Sequence, residues 1–286
     1  MKKTIVALSL SAVVLTGCAK SVLAPSPAVT PTSIPPTATP TLVPPTATPA
    51  PLRVWLDPAV PPAARELASA ALAKHATAPA CFATAADLCI GIGLTVPWGR
   101  WVYVVVVPFP TLADNVQWED VRNFWAGKAG ALATLADDGK TPTLFVTSNT
   151  LDVLQKVLGV PNAQAPISVT LSAELVDQAW AARPHAWAIV PFDELEPRWK
   201  VLHLDGASVL DKGLDVDKYP LSVQIGAEGK EASELVAALA PRAKLITNRD
   251  TERMTVLVMT GVTALVRGIA DRMEQKGLLY PAEKIG

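Results

Sequence analysis

Apolar positions fall in short blocks along this chain, and each block has the spacing of one strand or one helix face. The clearest is Trp101–Gly127, WVYVVVVPFPTLADNVQWEDVRNFWAG. Val102–Val107 is an unbroken β-branched and aromatic run, the pattern of a strand covered on both faces, and Pro108 and Pro110 remove the donors that would extend it. Trp118, Val121, Phe124 and Trp125 then recur at helical spacing. Asp114 or Asn115 can cap that helix, Glu119 and Asp120 suit its positive first turn, and Gly127 can end it. The stretch predicts a βα unit.

The alternation continues on both sides. Leu52–Asp57 predicts a strand, and beyond Pro58, Pro61 and Pro62 a helix follows with Ala64, Leu67, Ala68, Ala71 and Leu72 on one face. Leu144–Thr147 predicts a strand and Ser148–Leu158 a helix with Leu151, Leu154 and Leu158 inward and Gly159 as its stop. Val169–Leu171, a helix over Ser172–Ala181, Ala186–Val190, and strands near Lys200–Leu204 and Tyr219–Ile225 complete the series. Such alternation predicts an α/β domain with a mostly parallel sheet.

Two N-terminal segments break the pattern. Lys2 and Lys3 precede the apolar run Ile5–Leu15, too short for a membrane-spanning helix but suited to a secretory signal. It ends in Leu15-Thr16-Gly17-Cys18, which resembles the lipobox of bacterial lipoproteins, whose cysteine becomes the lipidated first residue. An ordinary signal peptide with a chance cysteine is the competing reading. Lipidation implies tethering at the extracytoplasmic face of the cell membrane without spanning. Residues 19–51 are almost only Pro, Thr, Ala, Ser and Val, with PPTATP at Pro35–Pro40 and Pro44–Pro49. That composition predicts a disordered, extended stalk, at about 3.1 Å per residue in polyproline II. The expected organisation is therefore a signal peptide over 1–18, a linker over 19–51, an α/β domain over 52–250 and a separate βα segment over 251–286.

Composition narrows the partners. With 25 Lys+Arg against 26 Asp+Glu the formal net charge is −1, so no overall field attracts nucleic acid. Cys81 and Cys89 stand eight apart in a chain read as exported, where a disulfide is expected, with two buried free thiols as the alternative. No metal site is expected, because only His75 lies near them, and no cofactor is implied. His75, His185 and His203 are too scattered to define a catalytic arrangement. The eight tryptophans are expected mainly in packing roles. The candidate binding residues are Thr147, Ser148, Asn149 and Thr150, hydroxyls and an amide at a helix start, where free N–H groups can hold an anion. Plain N-capping fits the same residues.

The order of strand, PFPT, helix ending WAG, strand-TSNT-helix, AIVPFDELEPRWKVLHLDG and a late YPL resembles the type II periplasmic substrate-binding proteins, especially the phosphate-binding-like branch, over Leu52–Ile225. The resemblance implies two α/β lobes around a ligand, with Val102–Val107 and Ala186–Val190 crossing between them. It also implies that Thr147, Ser148 and Thr150 grip an anion, with Phe109 across the cleft. The first βα turn departs from the family: Asp57-Pro58-Ala59-Val60-Pro61 replaces the usual Ser, Thr and Gly, and Asp57 repels an anion. An organic or cationic ligand, or none, is thus favoured over phosphate, and at the helix start a carboxylate or an uncharged polar group is expected over phosphate. From Glu252 the chain resembles the opening of the CapA family of capsule and poly-γ-glutamate synthesis, with a strand Met254–Met259 and Thr260-Gly261-Val262. Val262 stands where that family has a metal-ligand Asp, and a last βα unit of the binding domain fits the segment as well. No complete catalytic domain is expected.

Three functions follow from these residues: a tethered solute-binding-like module with a transporter or cell-envelope partner, a scaffold that has kept the fold without a ligand, or a fragment of a CapA-like enzyme. Anchoring is tested directly. Cys18→Ser is expected to release the protein from the membrane fraction or leave an unprocessed precursor, read by fractionation and mass; unchanged size and detergent partitioning would refute lipidation.

Overall fold

The computed structural model describes residues 51–286 except 74, 82–85, 137, 240–243, 258–267, 278 and 281–286. The signal, Cys18 and the stalk therefore lie outside the described residues, as does most of the CapA-like signature. A single strand organises the rest. β4 (Val96–Pro108, 13 residues) is buried at every position from Trp101 to Pro108. Its five fully buried valines, 102 and 104–107, contribute about 1.5–3 kcal/mol each on burial.

The two halves of β4 belong to different lobes. In lobe 1 the amino-terminal half pairs antiparallel with β11 (Ser222–Gly229) and parallel with the short β12 (Ile246–Thr247). Beyond β11 lie β3 (Leu88–Ile92), β1 (Arg53–Leu56) and the edge strand β2 (Ala76–Thr77), with β1 parallel to both neighbours. α1 (Pro62–Leu72) and α5 (Ala232–Leu239) pack on this lobe. In lobe 2 the carboxyl-terminal half pairs antiparallel with β8 (Ala186–Pro191) and β9 (Trp199–Val201); β8 pairs parallel with β6 (Thr143–Val146), and β6 with β7 (Ile167–Val169). α2 (Trp118–Trp125), α3 (Ser148–Leu158) and α4 (Ser172–Ala181) cover it. β5 (Asn115–Val116) and β10 (His203–Leu204) form a separate parallel pair. A final helix, α6 (Gly268–Lys276), follows near the carboxyl end.

Several expectations need correction. The sheet is mixed rather than mostly parallel, because both partners flanking the middle of β4 run against it. Ala186–Val190 does not cross: β8 stays within lobe 2, and the return to lobe 1 is made by the non-strand stretch 205–221. The first helix buries Ala64 and Ala68 but leaves Leu67 59% exposed. Neither Asp114 nor Asn115 caps α2. Asn115 is held in β5 and accepts from the Gly206 amide, while Asp205 Oδ1 accepts from the Trp118 amide at 2.8 Å. A residue 87 positions away thus satisfies the helix start. Met254–Leu257 form no strand, and the remainder of that expected strand lies outside the described residues.

Packing explains two glycines. A Cβ on Gly99 would lie 2.5 Å from Ile246 Cγ1, and one on Gly226 would strike the Leu94 carbonyl, so β12 and the Leu94 turn approach the strands only because side chains are missing there. In lobe 2 the rings of Phe124 and Trp187 meet edge to face at 4.9 Å.

Cys81 and Cys89 are joined, with Cα atoms 5.6 Å apart, and Cys89 sits in β3. Closing a loop of eight residues removes denatured-state entropy worth about 2–3 kcal/mol. Denaturant unfolding with and without reductant is expected to differ by that amount, and a difference below about 0.5 kcal/mol would show that the crosslink carries no stability.

Candidate functional site

Strand directions decide where loops converge. β3 and β4 both oppose β11, and β1 is parallel to β3, so β1 runs with β4, from lobe 1 towards lobe 2. β6 and β8 run the other way. The carboxyl ends of β1 and β6 therefore face each other beside the middle of β4, and the turns and helix starts that follow them meet. The contact is direct. Asn149 Nδ2 donates to the Pro58 and Ala59 carbonyls at 3.2 and 3.3 Å, and Lys156 Nζ lies 3.3 Å from Asp57 Oδ2.

The hydroxyls at the start of α3 are largely committed to the helix. Thr147 is its N-cap: Oγ1 accepts from the Thr150 amide at 3.2 Å and bonds the buried Thr150 hydroxyl at 3.0 Å. Ser148 is exposed, and its hydroxyl has no partner among the described residues. The lobe 1 side has the opposite polarity. Asp57 is buried, its Oδ1 accepts from the Ala59 amide at 2.9 Å, and Pro61 and Pro62 deprive α1 of donors at its N-cap and first helical position. An ordinary helix start offers those donors to an anion; here carbonyls and a carboxylate stand in front of it.

The expected residues separate into two groups. Thr147–Thr150 follow the carboxyl end of β6 and share that end of the sheet with Pro191, which closes β8, and Phe192. Phe109 does not join them. It follows the carboxyl end of β4, which lies beside the amino ends of β6 and β8, and it is 65% exposed with its amide bonded to the Arg198 carbonyl at 3.1 Å. Because β4 opposes β6, the residue after β4 and the residues after β6 must sit at opposite ends of lobe 2. Two broad concavities lie elsewhere, one of about 560 Å³ along 203–220 and one of about 520 Å³ between α1 and β1–β2, and neither is lined by Thr147–Thr150.

The sequence pattern gave no hint of Asn248 and Arg249, which pin the junction from the other side. Asn248 accepts from the Val102 amide at 2.8 Å and donates to the Val102 carbonyl at 3.0 Å and to Asp193 Oδ1 at 2.9 Å. Arg249 is buried, donates to the Val209 and Asp211 carbonyls, and lies 5.9 Å over the Phe192 ring. Burial lowers its guanidinium's pKa. One dipeptide thus ties β4, the return stretch and lobe 2 together. A short polar sequence carries no periodicity, so only a contact could reveal it. Next to it, the buried Tyr103 hydroxyl has no partner among the described residues, and burial, with Asp193 and Glu194 nearby, raises its pKa. Burial also raises the pKa of Glu194, whose carboxylate accepts from Ser172 Oγ at 3.1 Å.

No family model and no curated protein matches the sequence. Solved structures do match the fold. An ABC-type phosphate transport receptor from Vibrio cholerae superposes with a TM-score of 0.51 at 11% identity, covering 65% of this chain and 92% of that one. PstS from Borrelia burgdorferi gives a TM-score of 0.46 at 10% identity over 66% and 91%. A putative phosphate transporter substrate-binding protein from Clostridium perfringens, solved with bound phosphate, gives 0.44 at 11% over 65% and 91%. The domain has the two-lobe fold of periplasmic binding proteins.

Thr147→Ala is expected to cost about 1 kcal/mol through loss of the cap, and Ser148→Ala less than about 0.5. Asn248→Ala, which strands the Val102 backbone groups, is expected to cost about 1–3 kcal/mol. Equal midpoints for the Thr147 and Ser148 variants in denaturant unfolding would contradict the cap assignment.

Proposed function

We propose that this chain is a membrane-tethered, extracytoplasmic solute-binding-like module, anchored through Cys18, spaced from the surface by residues 19–51, and working with a transporter or cell-envelope partner. The observation that carries the reading is the convergence at the middle of β4. Two lobes share one strand, and the carboxyl ends of β1 and β6 meet there, the position at which α/β sheets hold ligands. The fold shared with a phosphate transport receptor supports a small polar or anionic solute and an extracytoplasmic location. The module acts by binding rather than catalysis: His75 lies between α1 and β2, His185 between α4 and β8 and His203 on β10, and the acidic partner of His185 is the surface residue Asp138. The CapA-like pattern after Glu252 extends the reading to the amino-terminal part of a protein of capsule or poly-γ-glutamate synthesis, and its support is sequence pattern.

A scaffold that binds no solute is the second reading, favoured by one feature: the protein's own Asn149 and Lys156 already span the junction. A thermal-shift screen separates the two, because a solute that binds only the folded state raises Tm by mass action. Solutes to include are phosphate, sulfate, amino acids, γ-glutamyl peptides, amines and sugars. At least one class is expected to raise Tm by several degrees at 100 times its Kd, equivalent to about 2.7 kcal/mol. A flat response across the panel favours the scaffold.

A further inference from the structure

The turn after β1 is built to accept hydrogen bonds. Its groups at the junction are the Asp57 carboxylate and the Pro58 and Ala59 carbonyls, and neither Pro61 nor Pro62 adds an amide donor. Every one of these acceptors is met from lobe 2 by a donor: Asn149 Nδ2 lies 3.2 and 3.3 Å from the carbonyls, and Lys156 Nζ lies 3.3 Å from Asp57. The contacts are weak. The amide bonds are long, and the Lys156 side chain is 51% exposed, so its ion pair is screened by water. Asp57, by contrast, is 7% exposed. A buried carboxylate whose outer oxygen is served, among the described residues, only by a solvated lysine accepts a better-placed, desolvated cation more strongly than the one it has. A dianion in the same place would face that carboxylate and two carbonyl dipoles, while the Arg65 guanidinium of α1 is already engaged by the Pro58 carbonyl at 2.7 Å and the Val60 carbonyl at 3.0 and 3.2 Å.

We infer that Asn149 and Lys156 occupy the places of a solute's own donors, and that the group recognised at this junction is a primary amine or amide, not phosphate; this rests on the solute-binding reading above. The two side chains act as internal competitors. A bound amine takes Asp57 from Lys156, an amide takes the Pro58 and Ala59 carbonyls from Asn149, and the affinity of the wild-type protein is lowered by what must be displaced. Removing a competitor should therefore tighten binding, the opposite of removing an ordinary contact residue.

Calorimetric titration of the full chain with putrescine, glycinamide and inorganic phosphate tests this. Putrescine or glycinamide is expected to bind and phosphate not. Lys156→Ala is expected to tighten putrescine binding threefold or more, Asn149→Ala to do the same for glycinamide, and Asp57→Asn to weaken putrescine binding tenfold or more. Lys156 is a surface residue, so its variant keeps the test decisive if Asp57→Asn fails to fold. Phosphate binding without amine binding overturns the donor class and leaves the solute-binding reading intact. Amine binding that Lys156→Ala weakens or leaves unchanged overturns the competitor role. No response to any of the three in any variant overturns the inference, and a flat response in the wider thermal-shift panel as well removes the reading beneath it.

Discussion

Backbone hydrogen bonding along β4 is the constraint on which the remainder depends. Its amino-terminal half is satisfied by β11 and β12, its carboxyl-terminal half by β8 and β9, and buried backbone groups cannot be left unpaired without a cost of about 1–3 kcal/mol each. Each lobe therefore needs the other's half of the strand to be in place. At Val102, between the residues paired with β12 and those paired with β8, the Asn248 side chain supplies both a donor and an acceptor, so a side chain continues the ladder where β12 has ended.

Much of the fold could be read from the sequence because burial and periodicity agree there. Val102–Val107 is fully buried, as a run with no polar alternation requires. Ser148–Leu158 and Ser172–Ala181 form helices with the limits their apolar spacing and flanking residues suggest. The failures share a cause, which is that the deciding partner is distant in sequence. β3 was hidden behind Cys89 and two glycines, and it exists because β1 and β11 enclose it. Asn115 reads as a cap until β10 pairs with it. Strand direction, which placed Phe109 at the wrong end of lobe 2, is set by the path of the chain between strands and leaves no trace in composition.

The site was legible in its chemistry and not in its allegiance. Thr147-Ser148-Asn149-Thr150 does open a helix facing another lobe, yet Thr147 and Thr150 serve each other and Asn149 serves the opposite turn. The prolines of that turn explain the difference. By deleting two amide donors where α1 begins, they leave Asp57 and two carbonyls facing lobe 2, with Arg65 turned back onto the Pro58 and Val60 carbonyls, and the junction becomes a place where donors are wanted. A polarity reversal of this kind needs no change of fold, which is why the match in architecture carries so little information about the solute.

The position of β1 has a mechanical side. The chain enters the domain at Arg53, whose amide and guanidinium both bond Asp87, and β1 then runs between β2 and β3 rather than along an edge. A pull on the preceding proline-rich segment is directed along β1, so the ladders to both neighbours are loaded in shear and must yield together, where an edge hairpin would unzip one rung at a time. Resistance to force is a matter of unfolding rate rather than equilibrium stability. A domain pulled through its amino-terminal strand would thus hold its shape under load even with marginal stability in free solution.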